Sequence, residues 1–460
     1  MKDYTTYSYW FASCGDDLTP RDPLDGTIQT DVAILGAGFT GLWTAYYLLQ
    51  RNPSLKVVVV EKEIAGFGGS GRNGGWCSAG FPVSLGELTR RFGRDAAQQL
   101  HTAMINTVDE VGSVAEIEQI ACDYEKSGSL RLARGPHQLP LIRQAVDTYQ
   151  DMGFGDQYHL LSQQETEQRI QVAGVVGSMF TPNCATIHPG KLVRGLARAV
   201  EQHGGTIYEQ TAATGYTAGS QPVLHTTRGD VRAAAVVLAG ESYLSQLDQV
   251  ARQLIPIYSL IVLTEPLSTE QWQQIGWAGR ECVSSSQYVI DYLSRTTDGR
   301  ILFGGRGAPY HFGSRIKDTY DQHTSTHAIL REATMEWFPA VQREQFSHAW
   351  GGPLGVPRDW MPIMSFDRQS GIGTARGYTG QGVGTANLAG RVLADLITDT
   401  TSELTSLPTV GHTSPNWEPE PLRYLGIRYV QQAYFRIDRK ATETGVPPDG
   451  STLAERLSRH

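Results

Sequence analysis

The chain has 460 residues, of which 40% are hydrophobic and 19% are charged, and its formal net charge is -8. A chain of this length and composition is expected to form a large globular protein of two domains, and its acidic balance argues against a general nucleic-acid binder. The cysteines are odd in number and widely spaced, which argues against a disulfide framework and predicts no metal site. They are Cys14, Cys77, Cys122, Cys184 and Cys282.

The N-terminal segment is polar and aromatic, with Tyr4, Tyr7, Tyr9 and Trp10. It lacks the apolar core of a signal peptide, and no apolar run in the chain is long enough to span a bilayer. We therefore expect a cytoplasmic protein with no membrane span.

The next segment has the pattern of a Rossmann unit that binds a dinucleotide. An apolar strand at 32–35 runs into a glycine triplet, and a second strand at 57–60 ends at Glu61. The triplet is Gly36, Gly38 and Gly41. These glycines allow a tight turn, a close approach of the backbone to the pyrophosphate and close packing of the following helix, whose N-terminus faces the phosphates. Glu61 lies where a carboxylate accepts the ribose hydroxyls and repels the extra phosphate of NADP.

A glycine-rich stretch follows at 65–75, where the backbone can lie against a ligand along its whole length. Amphipathic helical patterns at 95–118 and 137–152 then flank a short strand pair around 129–133. We interpret these elements as an insertion into the dinucleotide domain.

The dinucleotide domain is predicted to resume with a helix at 190–203, which begins after the proline of Ile187-His188-Pro189. Further strands are predicted at 206–209, 225–227 and 231–239. The last run is almost continuously apolar, which is typical of one buried strand in a parallel sheet. It ends at Gly240, on the side where the pyrophosphate is expected.

Residues 254–350 alternate strand patterns with one long helix, which predicts an antiparallel sheet that covers the substrate. The strands are predicted at 255–263, 288–292 and 301–304, and the helix at 320–337.

A second glycine-rich cluster, Gly377 to Gly384, opens a helix that runs to about Ile397. One nicotinamide needs no such distant clamp, whereas the N-terminus of a late helix stabilises the reduced ring of a flavin. The two clusters therefore predict FAD. Residues 400–421 are predicted to form a linker or surface strap. The cationic helix at 422–440 carries aromatic residues that favour docking onto its own domain over a membrane surface.

These patterns predict an α/β fold of the α+β two-domain kind, with a Rossmann-type FAD-binding domain and an antiparallel-sheet substrate domain. The predicted segments are 1–90, 166–250 and 349–400 for FAD binding, 91–165 and 251–348 for the substrate domain, and 401–460 for a C-terminal strap and helix.

The chain resembles the flavin-dependent amine and amino-acid oxidase family, which includes glycine oxidase, sarcosine oxidase and D-amino acid oxidase. Within that family the motifs are most similar to the branch that oxidises gamma-glutamylputrescine. The resemblance extends from about Tyr7 to Lys440 and keeps the order of the motifs. The residues that carry it lie at 70–75, 187–189, 206–210, 231–240, 301–305, 349–350 and 380–393.

The resemblance implies an FAD enzyme that takes hydride from the carbon next to a neutral amine. The imine would hydrolyse, and oxygen would usually reoxidise the flavin to give hydrogen peroxide. It also implies which residues contact FAD. These are Gly36, Gly38, Thr40, Gly41, Glu61 and Lys62 at the ADP half, Ser70, Gly71, Arg72, Asn73 and Gly74 along the pyrophosphate and ring edge, Ala213 at the adenine, Gly240, and Gly380, Gln381, Gly382, Val383 and Gly384 at the ring carbonyl.

Two departures from the family pattern bear on the chemistry. Amino-acid-oxidising members clamp the substrate carboxylate with an arginine where this chain has Gly351, Gly352 and Pro353, so a free α-amino acid is disfavoured. Sarcosine oxidases tether the flavin through a late cysteine in this region, and none of the five cysteines falls there. Non-covalent FAD is therefore expected.

Three residues are candidates for a catalytic role. His188 is expected either to face the substrate or flavin or to cap the helix that follows it. Arg306 lies near the position of an oxygen-activating lysine of sarcosine oxidases, although a solvated loop arginine fits the same position. Trp350, like Tyr378, is expected to pack near the ring or in the core.

Three functions remain open from the residues. The first is oxidation of an amine with oxygen as the acceptor. The second is oxidation or dehydrogenation of an N-methyl or other amino acid, with electrons passed to a carrier. The third is a non-catalytic flavin fold that binds a partner, which the intact second cluster argues against.

Overall fold

A computed structural model of the protein describes residues 2–307 and 309–457. The α-helices are α1 (Tyr9–Ser13), α2 (Phe39–Arg51), α3 (Leu85–Phe92), α4 (Arg94–Ile117), α5 (Leu139–Asp151), α6 (Gln163–Glu167), α7 (Pro189–Gln202), α8 (Thr269–Ile275), α9 (Thr324–Trp337), α10 (Gly382–Ile397), α11 (Leu422–Thr444) and α12 (Leu453–Leu457).

The strands form four sheets. They are β1 (Ile28–Gln29), β2 (Val32–Leu35), β3 (Val57–Val60), β4 (Trp76–Ser78), β5 (Ser129–Arg134), β6 (His159–Ser162), β7 (Val175–Thr181), β8 (Cys184–Thr186), β9 (Thr206–Tyr208), β10 (Ala213–Thr217), β11 (Val223–Thr226), β12 (Gly229–Arg232), β13 (Ala235–Leu238), β14 (Ile255–Thr264), β15 (Cys282–Ser285), β16 (Asp291–Arg295), β17 (Ile301–Arg306), β18 (Phe346–Val356), β19 (Ile363–Asp367) and β20 (Ile372–Arg376).

The Rossmann sheet has the strand order β19-β20-β13-β2-β3-β9. Its strands are parallel except for the edge strand β19. Every residue of β3 and β13 is buried, because one face of the sheet packs against α2, α7 and α10 and the other against the sheet that contains β11 and β12. α2 and α10 pack closely against one another, and a Cβ on Gly390 of α10 would lie 2.6 Å from the Trp43 Cβ of α2. The two helices, and with them their N-termini, therefore lie in the same layer.

The predicted single strand at 231–239 is wrong, because the structure divides it in two. β12 joins a four-stranded sheet of order β1-β12-β11-β10, and β13 joins the Rossmann sheet. Arg232, the last residue of β12, and Ala234 are exposed, while Val231 and Ala233 are buried. This alternation of buried and exposed residues is that of a half-buried strand. The sequence does not display it, because alanine is classed as apolar whether it is buried or exposed.

The substrate-domain sheet has eight strands in the order β18-β14-β17-β16-β15-β5-β7-β6. Neighbouring strands are antiparallel except for β5 and β15, which are parallel. The predicted strand at 288–292 is shifted, since the observed strand runs from Asp291 to Arg295. The amides of Tyr288 and Val289 instead donate to Asp438 of α11. The predicted mixed α/β fold with these two kinds of sheet is confirmed.

The two faces of this sheet have different neighbours. One face carries Leu260 and Val262 of β14 and packs against α9 through Leu330 and Trp337. The alternate residues Ile261 and Leu263 lie on the other face, as the strand period requires. There they form a cluster with Tyr9, Trp10, Leu302 and Trp350.

Cys77, Cys122, Cys184 and Cys282 are buried, Cys14 is half-buried, and all five are free. The Sγ atoms of Cys184 and Cys282 both lie 3.9 Å from the carbonyl oxygen of Ala185. Within residues 2–307 and 309–457, no group of His, Cys, Asp or Glu is arranged to hold a metal ion. Over the same residues, no helix is both long enough and apolar enough to cross a bilayer.

Candidate active site

The glycine triplet forms the turn between β2 and α2. Gly36 has φ +101°, and its amide donates to Val60 O of β3 at 2.8 Å. A Cβ on Gly41 would lie 1.9 Å from Gly36 O, and one on Gly38 would lie 2.9 Å from Ser70 Oγ. The triplet therefore leaves no room for side chains, and the first turn of α2 sits directly above the end of β2.

Glu61 follows β3 and turns its carboxylate toward this turn. Its two oxygens accept from the amides of Ala37 at 2.9 Å and Glu63 at 3.0 Å. Burial raises the pKa of Glu61 to about 7, although the same two amides act to lower it. The site thus holds a desolvated carboxylate that gains from further hydrogen-bond donors.

The stretch after Glu61 lies across the N-terminus of α2. Ser70 Oγ accepts from the Phe39 amide at 2.8 Å, so this hydroxyl caps the first amide of the helix. Asn73 braces the stretch internally, because its side chain donates to Ser70 O at 2.8 Å and accepts from the Gly75 amide at 2.8 Å. Gly74 O accepts from Ser294 Oγ of the substrate-domain sheet at 2.8 Å. The stretch therefore lies between the two domains.

Arg72 is buried in an ion pair at the edge of the substrate sheet. Its guanidinium donates to Asp321 and, at 2.6 Å, to the Tyr243 hydroxyl. Burial acts against the charged guanidinium, but Tyr243 and Asp321 outweigh it and raise the pKa of Arg72. A Cβ on Gly352 would lie 3.7 Å from Arg72 Nε, so this guanidinium adjoins the stretch 351–353, which the sequence resemblance aligns with a carboxylate-binding arginine.

The second glycine cluster, Gly377 to Gly384, places the N-terminus of α10 beside the N-terminus of α2. Gly380 has φ +100°, and Gln381 precedes the helix without capping it through its side chain. A Cβ on Gly384 would lie 2.9 Å from Ser78 O, whereas one on Gly382 would make only ordinary contact with Tyr378. Val383 is buried. Among the described residues, no side chain caps the amides in the first turn of α10, which lie at the positive end of the helix dipole.

Tyr378 and Thr40 join the two clusters. The Tyr378 hydroxyl and Thr40 Oγ1 are 2.9 Å apart, although the residues are 338 positions apart in the chain. Both side chains are buried. This contact aligns the first turn of α2 with the loop that leads into α10.

Glu241 is a site residue that the sequence did not reveal. It follows Gly240 at the carboxyl end of β13, with φ +47°. Its carboxylate accepts from the amides of Gly355 at 2.8 Å, Gly377 at 2.9 Å and Tyr378 at 3.0 Å. Burial raises its pKa against the effect of these amides. The sequence signal that could have identified Glu241 is an acidic residue just beyond the carboxyl end of a central parallel strand, because ligands bind at that edge of such sheets.

The remaining predicted cofactor residues lie nearby or at the surface. Gly240 is half-buried at the end of β13, and Ala213 begins β10 two residues after Thr211, whose amide donates to Glu61 O at 2.8 Å. Lys62 is exposed.

His188 caps α7. Its Nδ1 accepts from the Lys191 amide at 3.1 Å, and its Nε2 lies 3.0 Å from Ser13 Oγ. Burial, aided by the Lys191 charge, lowers the pKa of His188 to about 4. Both ring nitrogens are engaged, so the structure shows the capping role, and a role in the reaction stays a prediction.

Trp350 is buried on the inner face of the sheet, where its Nε1 donates to Arg72 O at 3.1 Å. It therefore links β18 to the glycine-rich stretch. Arg306 ends β17, where its backbone pairs with Ser259, and its side chain lies outside the described part of the structure.

The chemistry of these groups fits FAD. A buried carboxylate suits ribose hydroxyls, and two helix N-termini suit a pyrophosphate and a reduced ring. The glycines that line the turn leave the backbone bare for close approach.

Comparisons with known proteins agree with this fit. The sequence profile of the DAO family, described as FAD dependent oxidoreductase, matches residues 31–396. Gamma-glutamylputrescine oxidoreductase of Escherichia coli (strain K12) is 29% identical over 400 residues, covering 86% of this chain and 90% of that protein. The probable oxidoreductase OrdL of Haemophilus influenzae is 30% identical over 398 residues, covering 85% of this chain and 88% of the relative.

Solved structures show the same fold. Glycine oxidase from Geobacillus kaustophilus superposes with a TM-score of 0.70 at 20% identity, covering 84% of this chain and 99% of that one. L-Proline dehydrogenase from P. horikoshii gives a TM-score of 0.67 at 19% identity, covering 84% and 96%. With its profile match, its relatives and its site geometry in agreement, the chain belongs to the FAD dependent oxidoreductase family, whose cofactor is FAD and whose members oxidise amines or amino acids.

Proposed function

We propose that this protein oxidises an alkyl amine whose reacting carbon carries no carboxylate, with oxygen as the electron acceptor. For a primary amine the balance is RCH2NH2 + O2 + H2O → RCHO + NH3 + H2O2. The amine loses two electrons as a hydride and a proton, the imine is hydrolysed to the aldehyde and ammonia, and oxygen is reduced to peroxide. Bound FAD supplies the acceptor that takes the hydride from carbon.

The residues that would hold FAD follow from the geometry above. Glu61 would accept the ribose hydroxyls, and Gly36, Gly38, Thr40 and Gly41 would leave the pyrophosphate in contact with backbone amides. The uncapped first turn of α10, from Gly382 to Gly384, would stabilise negative charge on the reduced ring. The stretch 70–74 would lie along the pyrophosphate and the edge of the ring.

The observation that carries the amine assignment is the charge balance beside Gly352. A Cβ on Gly351 would lie 2.2 Å from Leu260 Cδ2, so position 351 has no space for an arginine, whereas a Cβ on Gly352 would make only ordinary contact with Arg72. The adjoining Arg72 is already paired with Asp321 and Tyr243. A substrate carboxylate would lose its hydration without gaining a free bidentate partner, which costs several kcal/mol.

The relative named gamma-glutamylputrescine oxidoreductase supports the same class. In gamma-glutamylputrescine the terminal amine is a primary alkyl amine, and its carboxylate lies at the far end of the molecule. We therefore propose substrates of this type, in which the reacting end is an uncharged alkyl amine and any acidic group is distant.

The test compares substrates that differ only in the carboxylate on the reacting carbon. Butylamine and 2-aminopentanoate form such a pair, and putrescine, gamma-glutamylputrescine, glycine, sarcosine and D-alanine complete the panel. Flavin bleaching without air measures reduction, and peroxide formation in air measures the acceptor. We expect butylamine to exceed 2-aminopentanoate in kcat/KM by about 100-fold or more, as an unpaired buried carboxylate requires. Glycine or sarcosine as the best substrate would overturn the proposal.

A variant tests the role of the ion pair. Asp321→Asn removes the carboxylate partner of Arg72, so we expect the preference to move toward 2-aminopentanoate. Asp147→Asn is the control, because Asp147 is an exposed aspartate on α5. An unchanged ratio in Asp321→Asn would show that this arginine does not control carboxylate exclusion.

The runner-up is oxidation or dehydrogenation of an amino acid, which is favoured by the Arg72 guanidinium beside Gly352. Under that function the amino acids of the panel would reduce the flavin fastest. Rapid bleaching without peroxide formation in air would indicate a carrier instead of oxygen.

A further inference from the structure

The N-terminal arm, residues 2–13, precedes residues 31–396 that match the family profile. It nevertheless packs against the glycine-rich stretch that we assign to FAD. Ser8 Oγ donates to Gly71 O at 2.8 Å, and Trp10 Nε1 donates to Asn73 O at 2.7 Å. The Phe11 ring fills the space beside Gly71, where a Cβ would lie 2.5 Å from Phe11 Cζ.

The arm also reaches the acidic end of β3. Lys2 Nζ and the Tyr4 hydroxyl donate to the two oxygens of Glu63, at 2.7 Å and 3.0 Å. The amide of Glu63 in turn donates to Glu61. The arm thus contacts both segments that would bind the ADP half and the pyrophosphate.

Trp10 connects this contact to the rest of the molecule. Its ring centroid lies 4.8 Å from that of His188 and 6.3 Å from that of Trp350. It therefore sits where the glycine-rich stretch, the start of α7 and the inner face of the substrate sheet meet.

We propose that the N-terminal arm is part of the cofactor-binding machinery, with Ser8 and Trp10 as positioning residues that hold the stretch 66–75 in its FAD-binding conformation. Six of the ten residues in this stretch are glycine. Glycine loses more conformational freedom on folding than any other residue, so ordering a glycine-rich segment has a large cost in conformational entropy. Contacts that order it before FAD arrives therefore increase the affinity for FAD. This inference rests on the cofactor and is independent of which amine is oxidised.

The test measures FAD binding to the apoprotein without any amine, so its outcome is separate from the substrate assignment. Trp10→Phe keeps the ring and removes the indole N–H, and Ser8→Ala removes the hydroxyl. Each loses one hydrogen bond to a backbone carbonyl, so we expect FAD to bind about fivefold more weakly in each variant and about 25-fold more weakly in the double variant. Hydrogen exchange of the apoprotein should become faster at the amides of 68–75.

Matched controls separate this effect from general loosening. Trp417→Phe removes an indole N–H that donates to Val356 O at 2.9 Å, away from the arm. Ser84→Ala removes the N-cap of α3, as Ser8→Ala removes that of α1. We expect both controls to bind FAD as the wild type does. Unchanged FAD affinity in Trp10→Phe and Ser8→Ala, or equal weakening in the controls, would overturn the proposal.

Discussion

At the scale of single residues, the site depends on two half-buried glutamates whose carboxylates accept hydrogen bonds from backbone amides. The Glu61 carboxylate accepts hydrogen bonds from two backbone amides, and the Glu241 carboxylate accepts hydrogen bonds from three. Burial raises the pKa of each, because desolvation disfavours the charged form more than the amides favour it. The two residues have different roles. Glu61 faces the turn that would bind a ribose, whereas Glu241 connects three loops through hydrogen bonds.

The raised pKa of Glu61 predicts how FAD affinity depends on pH. In the apoprotein burial raises the pKa of this carboxyl to about 7. Ribose hydroxyls donate to its ionised form, so FAD lowers the pKa and binding releases a proton below pH 7. Affinity should therefore rise with pH by up to about tenfold per unit as far as pH 7, and then level off. Titration of apoprotein with FAD at several pH values measures this.

The variant Glu61→Gln provides the control for that pH dependence. It should bind FAD more weakly, because each charge-assisted hydrogen bond contributes about 1.5 to 3 kcal/mol. Its affinity should also be flat between pH 5 and pH 8. A slope that survives in this variant would show that another group titrates.

Glu241→Gln is predicted to destabilise the protein. The amide group that replaces one carboxylate oxygen brings an N–H toward a backbone N–H, so at least one buried donor loses its acceptor. We expect the free energy of unfolding in urea to fall by about 2 to 4 kcal/mol. Glu344→Gln, at an exposed position, should change it by less than about 0.5 kcal/mol. Equal stability of the two variants would contradict the bracing role.

At the scale of elements, the entry angle of α2 is set by a glycine. Gly41 is on the helix side of the turn, and any Cβ there meets the Gly36 carbonyl oxygen at 1.9 Å. That atom is backbone, so relief requires the helix to move away from β2. The conformation of this turn can therefore be predicted from the sequence, because a steric contact within six residues determines it.

Gly41→Ala tests this rule against a helical glycine in open space. Gly426 of α11 has no other atom within 4 Å of an added Cβ. Gly426→Ala should stabilise the protein by about 0.5 to 1 kcal/mol through helix propensity, whereas Gly41→Ala should lower the melting temperature and the FAD content of the purified protein. Wild-type FAD content in Gly41→Ala would mean that the helix does not have to stay close to the strand.

α11 shows how an ambiguous element is resolved by its partners. Its sequence allowed a membrane-surface helix or a docked tail. The structure docks it, because Asp438 accepts from the amides of Tyr288 and Val289 and the rings of Tyr288 and Tyr434 lie 4.9 Å apart. Its exposed side chains Leu422, Leu425 and Tyr429 remain on the outer surface.

At the scale of the whole molecule, the site is assembled from distant parts of the chain. The Thr40–Tyr378 contact and the Arg72–Asp321 pair each join segments more than 200 positions apart, with separations of 338 and 249. Both glycine clusters therefore depend on the complete fold. The division of the chain into FAD-binding and substrate segments remains a prediction at the boundaries given above.

The state of the cysteines predicts how the cofactor is held. Burial raises the thiol pKa of Cys77 and Cys282 well above the usual value and that of Cys122 to about 11. Such thiols are poor nucleophiles at neutral pH. We expect the purified protein to be yellow and to release intact FAD on acid or heat denaturation, as measured by absorbance of the supernatant. Flavin that stays with the denatured chain would contradict this.

The sequence by itself determined the features that local rules control. The strands at 32–35 and 57–60, the glycine triplet and the helix that ends at Ile397 all appear as predicted. Each depends on backbone sterics or on apolar periodicity within about 30 residues, which the sequence displays directly. The family and its cofactor followed from the order of these motifs.

Tertiary structure alone decided the rest. Glu241, Asp321 and Trp10 have their partners 63 to 249 positions away in the chain, so no local pattern marks them. The apparent strand at 231–239 is divided because its two halves join different sheets. The cap that His188 makes to the Lys191 amide is local, whereas the contact of its other ring nitrogen with Ser13 joins residues 175 positions apart. Sheet register and burial determine such pairings, and both arise only when distant segments pack together.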